Sequence, residues 1–238
     1  MNCSPARNGA TAEIAAVVSD CLKEKCDVRT ICIDDYNFGF CKGCRSCHKT
    51  AKCIQHDDVD KIIEQYEWAD IIISVAPSYW ADIPGQFKAF IDRCTPWCNT
   101  HEPHSAISGG KKGYSIALRT GPSMRECDRI IESIEHFYGH MEIESCGSLG
   151  LCSVEYKEAV AARKNELIDF AEKFSQISIY PDNKIRRRDH IFSGFAFCGC
   201  ISAFIHLSRL AYIRQNFAPW RGRTLLPDLF CIRRVQLK

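Results

Sequence analysis

Four cysteines fall within thirteen residues, Cys41, Cys44, Cys47 and Cys53, in the run CKGCRSCHKTAKC. Three thiolates at two-residue spacing can each take one iron of a cubane, and a fourth a few residues on can close the last corner as a 4Fe–4S ligand. The same sulfurs suit tetrahedral zinc or a redox-active thiol set. Lys42, Arg45, His48, Lys49 and Lys52 surround them with positive charge, which favours thiolate in every one of these roles and so does not choose among them. Spacing this tight points to a metal or redox site rather than to packing.

Three other segments carry groups able to hold a ligand. In Ser4-Pro-Ala-Arg7-Asn8-Gly9-Ala-Thr11, hydroxyls, a guanidinium, an amide and free backbone N–H groups meet at the start of a helix, which suits a phosphate. An ordinary capping turn uses the same residue types. Ala76-Pro77-Ser78-Tyr79-Trp80-Ala81-Asp82-Ile83-Pro84 places two aromatics in a loop, fit for a flat conjugated ring or for capping the core or an oligomer interface. In Leu118-Arg-Thr120-Gly121-Pro-Ser123, the glycine allows close backbone approach to a ligand, or simply makes a turn. His101 and His104 read as members of a solvated loop in preference to a metal pair. No catalytic side-chain nucleophile or general-base triad is expected.

These segments need elements to position them. Asn8–Lys25 reads as a helix with Ile14, Val17, Val18 and Leu22 on one stripe. Val28–Ile33 reads as a strand, Asp57–Glu67 as a helix, and Ala69–Ala76 as a strand buried on both faces. Helices follow at Pro84–Arg93, Ser123–Tyr138 and Val154–Phe174, with strands at Gly113–Leu118 and Met141–Leu149. Alternating β and α elements imply an α/β, doubly wound parallel sheet of order 2-1-3-4-5. Met1-Asn2-Cys3 reads as the last stub of its central first strand, so a truncated strand 1 is expected. All three loops then leave the carboxyl edge of the sheet, where such folds bind ligands. One phosphate and one long planar ring describe FMN.

The chain has 238 residues and sixteen cysteines, without a basic and apolar leader. Thiols kept reduced in the cytoplasm are the expectation, with Cys21, Cys26, Cys32 and Cys146 as small buried hydrophobes. Residues 1–175 carry net charge −6, whereas 176–238 carry eleven Lys/Arg against three Asp, net +8. That shift divides a 1–175 domain from a basic, partly apolar, irregular C-terminal tail of low expected order. Within the tail, Ile191–Leu207 is at the short limit for a bilayer span, and membrane contact is not the favoured reading. No nucleic-acid-binding module is present.

Taken in order, SPARNGAT, CKGCRSCHKTAKC with Asp57-Asp58, ADIIISVAPSYW and PGQFKAFIDR resemble the flavodoxin-like, NAD(P)H-dependent FMN reductases, and within them the iron–sulfur flavoproteins. The resemblance covers residues 1–175. It implies that Ser4, Arg7, Asn8 and Thr11 hold the FMN phosphate. It further implies that Pro77, Ser78, Tyr79, Trp80, Ala81, Thr120 and Gly121 line the flavin ring and ribityl chain. Ala10 replaces a small polar residue frequent in the family. The implied activity is electron transfer from NAD(P)H through FMN to a quinone, flavin or carrier. The alternatives are a 4Fe–4S flavoprotein in ferredoxin-linked transfer, held by Cys41, Cys44, Cys47 and Cys53, and a non-enzymatic zinc or thiol-switch module. A homo-oligomer, dimer or tetramer, is the implied assembly.

Overall fold

The computed structural model describes residues 1–175 and 233–234. Its elements are α1 (Ala10–Leu22), β1 (Cys26–Asp27), α2 (Cys47–Thr50), α3 (Val59–Trp68), β2 (Ile71–Pro77), α4 (Gly85–Arg93), β3 (Lys112–Leu118), α5 (Arg125–His140), β4 (Glu144–Leu151), α6 (Lys164–Ser175) and β5 (Arg233–Arg234). β2, β3 and β4 pair in parallel in that spatial order, Ile71 opposite Lys112 and Lys112 opposite Glu144. β2 is buried from Ile71 to Ala76, as its unbroken apolar run requires.

Met1–Cys3 lies along the free edge of β2. Cys3 N–H donates to Val75 O at 2.9 Å and Val75 N–H to Met1 O at 3.0 Å. On its other side, Asn2 N–H donates to Ile31 O at 2.7 Å and Ile33 N–H to Asn2 O at 2.9 Å. Asn2 therefore bridges in parallel to both Cys32 and Val75, so the segments lie across the sheet in the order Ile31–Ile33, Met1–Cys3, β2, β3, β4. The doubly wound fold is as expected.

Several boundaries differ. Val28–Ile33 does not form a strand: Cys32 makes a single bridge, because only three residues stand between this segment and β2 to ladder with. β1 instead pairs antiparallel with β5, Cys26 opposite Arg234. β4 begins at Glu144, after Met141 and Ile143 have turned into the core. The final helix is preceded by a tighter 3₁₀ stretch, Lys157–Arg163. The boundary near residue 175, the Ile191–Leu207 run and the rest of the tail lie outside the described residues. Among those described, no helix is long and apolar enough to cross a membrane.

Aromatic packing fixes α3, α4 and α5 over one face of the sheet. Tyr66, Phe87, Phe90 and Phe137 meet at centroid distances of 5.8–6.4 Å, largely edge to face. Each such side chain contributes roughly 1.5–3 kcal/mol by leaving water. Gly113 lets α5 close on β3, since a Cβ there would stand 2.5 Å from the Tyr138 ring. The buried Tyr138 hydroxyl donates to Ser74 Oγ at 2.8 Å. Among the described residues the fully buried thiols are Cys3, Cys94 and Cys127, whereas Cys21, Cys26, Cys32 and Cys146 are only half-buried, contrary to expectation. Cys32 is at the thinly paired edge, and Cys146 is on β4, whose side chains are mostly half-exposed.

Candidate cofactor and cysteine site

Residues 4–9, 78–83 and 119–123 leave three neighbouring parallel strands at the same carboxyl edge, the edge at which open α/β sheets bind ligands. Ser4 is buried, and its Oγ accepts the Ala6 N–H at 3.1 Å. Thr11 is buried in the first turn of α1, whose cap residue Gly9 offers no side-chain bond to the first amides. Asn8 is exposed. Arg7 is already engaged: its Nε donates to Asp34 Oδ2 at 2.9 Å, its Nη2 to Asp34 O at 2.6 Å, and Nη1 stands 2.5 Å from Asp35. Those carboxylates offset the charge that the guanidinium brings to this loop.

Ser78–Asp82 is a tight turn. Tyr79 N–H donates to Asp82 O at 2.8 Å, Asp82 N–H returns to Tyr79 O at 3.1 Å, and Trp80 and Ala81 have φ of 54° and 61°. Two consecutive left-handed residues make the primed two-residue turn, at a cost of about 1–2 kcal/mol each for side chains larger than glycine. The result lifts the Trp80 ring clear of the protein, fully exposed, with Tyr79 half as exposed beside it.

A polar link between two of the loops was not apparent in the sequence. Ser78 Oγ donates to Glu126 Oε2 at 2.6 Å, and Arg119 Nη2 lies 3.1 Å from Glu126 Oε1. Gly121 leaves room for the link, because a Cβ on it would stand 2.3 Å from Arg119 Nη2 and push the guanidinium aside. Thr120 is exposed and makes no part of the link. An acidic residue in the first turn of a helix following such a loop is the one signal that could have found Glu126.

The cysteine loop follows Cys32 at the same edge. Cys41, Cys44, Cys47 and Cys53 all line one small cavity of about 30 Å³, together with Arg93. Cys44 is exposed, and its thiol is held below the ordinary value by the Ser46 N–H and Ser46 Oγ. Burial pushes Cys47 up. Beside them, the ligand atoms of Cys47, His48 and His101 lie within 4.8 Å of one another; no three of the quartet do so among the described residues. Tetrahedral zinc, with Zn–S bonds of about 2.3 Å, would hold its sulfurs about 3.8 Å apart. The quartet is spread wider than that. His101 and His104 correct the expectation of a solvated loop: the His101 ring stacks on His48 at 4.1 Å, and the side chain of His104 is 17% exposed.

An 870 Å³ groove runs between α4 and α5, with Cys41 and Gly43 of the cysteine loop and Ala81–Ile83 of the aromatic turn at its rim. The structure thus brings the cysteine loop and aromatic turn together. Ser4, Arg7, Asn8 and Thr11 stand at the same sheet edge but outside this groove.

A family model for NADPH-dependent FMN reductases matches residues 1–148. The chain belongs to that family. Among curated relatives, an iron-sulfur flavoprotein of Archaeoglobus fulgidus is 29% identical over 119 residues, covering 50% of this chain and 52% of its own. One from Methanocaldococcus jannaschii is 37% identical over 110 residues, 42% of this chain and 56% of its own. The chain thus spans about half the length of the curated relatives it matches. Among solved structures, an NAD(P)H:quinone oxidoreductase from Methanothermobacter marburgensis superposes with a TM-score of 0.56 at 12% identity, covering 74% of this chain and 94% of that one. A putative quinone reductase from Klebsiella pneumoniae gives 0.50 at 17% identity, covering 73% and 82%. Both show the flavodoxin-like fold.

Proposed function

We propose that this FMN reductase family member is an oxidoreductase that binds FMN at the carboxyl edge of its sheet, is reduced by NAD(P)H, and holds a 4Fe–4S cluster on Cys41, Cys44, Cys47 and Cys53. The observation that carries this reading is the convergence of the cysteine loop and the aromatic turn on one groove, with all four thiols around a single cavity. The names of the curated relatives favour a cluster over free thiols, and the sulfur spread opposes a preformed zinc site.

Bound FMN supplies hydride acceptance and one-electron release, and a cluster supplies one-electron carriage. The remaining roles fall to side chains of the protein. Ser4, Asn8 and Thr11 with the first amides of α1 would bind the phosphate, while Arg7, tied to Asp34 and Asp35, would orient this loop. Pro77, Ser78 and Ala81, with Thr120 and Gly121, would flank the ring and ribityl chain. Tyr79 and Trp80 would shield the ring from water. Glu126 would hold Ser78 and Arg119 in fixed orientation through its two carboxylate oxygens. The acceptor we propose is a small quinone or flavin, or a ferredoxin-type carrier meeting the exposed cysteine loop.

The test is an anaerobic visible spectrum with iron and acid-labile sulfide analysis. Flavin bands together with a broad cluster absorbance, the latter lost in Cys47→Ser while flavin persists, support the proposal. A colourless zinc protein refutes both parts, and flavin without iron refutes the cluster alone.

A further inference from the structure

The groove wall contributed by α5 carries Glu132, His136 and His140, four residues apart and therefore stacked on one stripe. The flavin loops and the cysteine quartet use none of them. The Nε2 atoms of His136 and His140 lie 3.0 Å apart, with ring planes at 88°. A metal with M–N bonds of about 2.0–2.1 Å places two neighbouring imidazole nitrogens about 3.0–3.3 Å apart when they subtend roughly 95–105°. The side chains already stand at chelate spacing.

His140 is also held from behind. Asn99 N–H donates to His140 O at 3.0 Å, Asn99 Nδ2 to Gly139 O at 3.2 Å, and Asn99 Oδ1 stands 3.5 Å from His140 Nδ1. With an amide oxygen on the far side, the tautomer that carries its proton on Nδ1 turns the His140 Nε2 lone pair to His136 and accepts a ring-to-ring hydrogen bond that a metal would replace, the arrangement that orients metal-bound histidines. His136 is exposed, so either tautomer is open to it. Two imidazoles select zinc-class transition ions over magnesium or calcium, which take oxygen ligands.

We propose that His136 and His140 chelate one divalent transition-metal ion of the zinc class, separate from the cysteine quartet and opening on the groove between α4 and α5. The inference stands whether or not the quartet holds a cluster. The experiment adds Zn²⁺ to the cofactor-loaded protein carrying ¹³C-labelled histidine and follows the ring Cε1–H resonances. His136 and His140 should shift together and saturate at one ion per chain. H136Q and H140Q should each weaken that binding at least tenfold, a loss no smaller than that from removing a supporting partner. H48Q, which alters the separate Cys47–His48–His101 group, should leave it unchanged. Unmoved His136 and His140 resonances in the wild-type protein overturn the proposal, and so does H136Q binding as tightly as wild type.

Discussion

The guanidinium of Arg93 grips both carboxylate oxygens of Asp57, at 2.7 Å from Nη1 and 3.0 Å from Nη2, with its side chain only 1% exposed. The same group donates to Gly39 O at 2.8 Å and Gln55 O at 3.4 Å, and its Nη2 lies 3.5 Å from Cys53 Sγ. Gly39 precedes the quartet and Asp57 follows it, so one buried cation at the end of α4 closes the cysteine loop at both ends. A planar fork with five donors suits this task, whereas an ammonium cannot span the same acceptors.

Arg93→Met should therefore leave the Asp57 charge with only the long Gly39 and Val59 amide bonds, and take the guanidinium from the Gly39 carbonyl. Removing one member of a buried ion pair costs about 3–5 kcal/mol. The urea midpoint should fall accordingly, and iron bound per chain should fall with it. A loss of stability with full iron content would show that Arg93 supports the fold and not the loop.

The pair also predicts a pH dependence. Burial pushes the Asp57 carboxyl up, but the hydrogen bonds from Arg93 and from the Gly39 and Val59 amides outweigh it and hold the group below its usual range. A carboxyl depressed in the folded state stabilises above its unfolded value near 3.9, and that stability is lost as pH falls through the folded value. Wild type should lose stability more steeply than Asp57→Asn as pH drops below about 4. Parallel urea titrations of the two proteins from pH 6 to 2.5 measure the difference; parallel curves would contradict it.

Thiol reactivity should sort by environment. In protein stripped of cofactors, Cys44 is exposed with a thiol held down by Ser46, whereas burial raises Cys94 well above the ordinary value and Cys3 to about 12. Thiolate fraction and access both favour Cys44. Limited iodoacetamide treatment at pH 7 followed by peptide mapping should find Cys44 labelled first, with Cys3 and Cys94 unmodified until the chain is unfolded.

How much of this was legible in the residues follows from range. The apolar run Ile71–Ala76 and the stripe Ile14, Val18, Leu22 announce a buried strand and an amphipathic helix because burial is periodic along the chain. The quartet is legible because its spacing is local. Val28–Ile33 misled, since β-branched residues favour strands but a ladder needs a partner of equal length, and Met1–Cys3 offers one bridging residue. The ion pairs of Arg7 were hidden for a related reason: Asp34 lies 27 positions along the chain, with Asp35 beyond it. The Arg93–Asp57 clamp and the Ser78–Glu126 bond join residues 36 and 48 positions apart, which no motif spans.

That link gives the last expectation. Glu126 accepts from Ser78 with one oxygen and pairs with Arg119 through the other, and Gly121 leaves room for the Arg119 guanidinium. Glu126→Gln keeps the shape but removes the charge and exchanges one acceptor for a donor, so the Arg119 ion pair becomes a neutral contact and the Ser78 hydroxyl must turn round from donor to acceptor. Misorienting one polar contact costs about 1–3 kcal/mol, and 1.4 kcal/mol is tenfold in affinity. FMN affinity, read by quenching of flavin fluorescence on binding, should weaken roughly tenfold or more. The thermal midpoint should move little, because Glu126 is part-exposed and its loss leaves no cavity. A large drop in that midpoint with FMN affinity intact would make Glu126 a brace for α5, unconnected with the flavin.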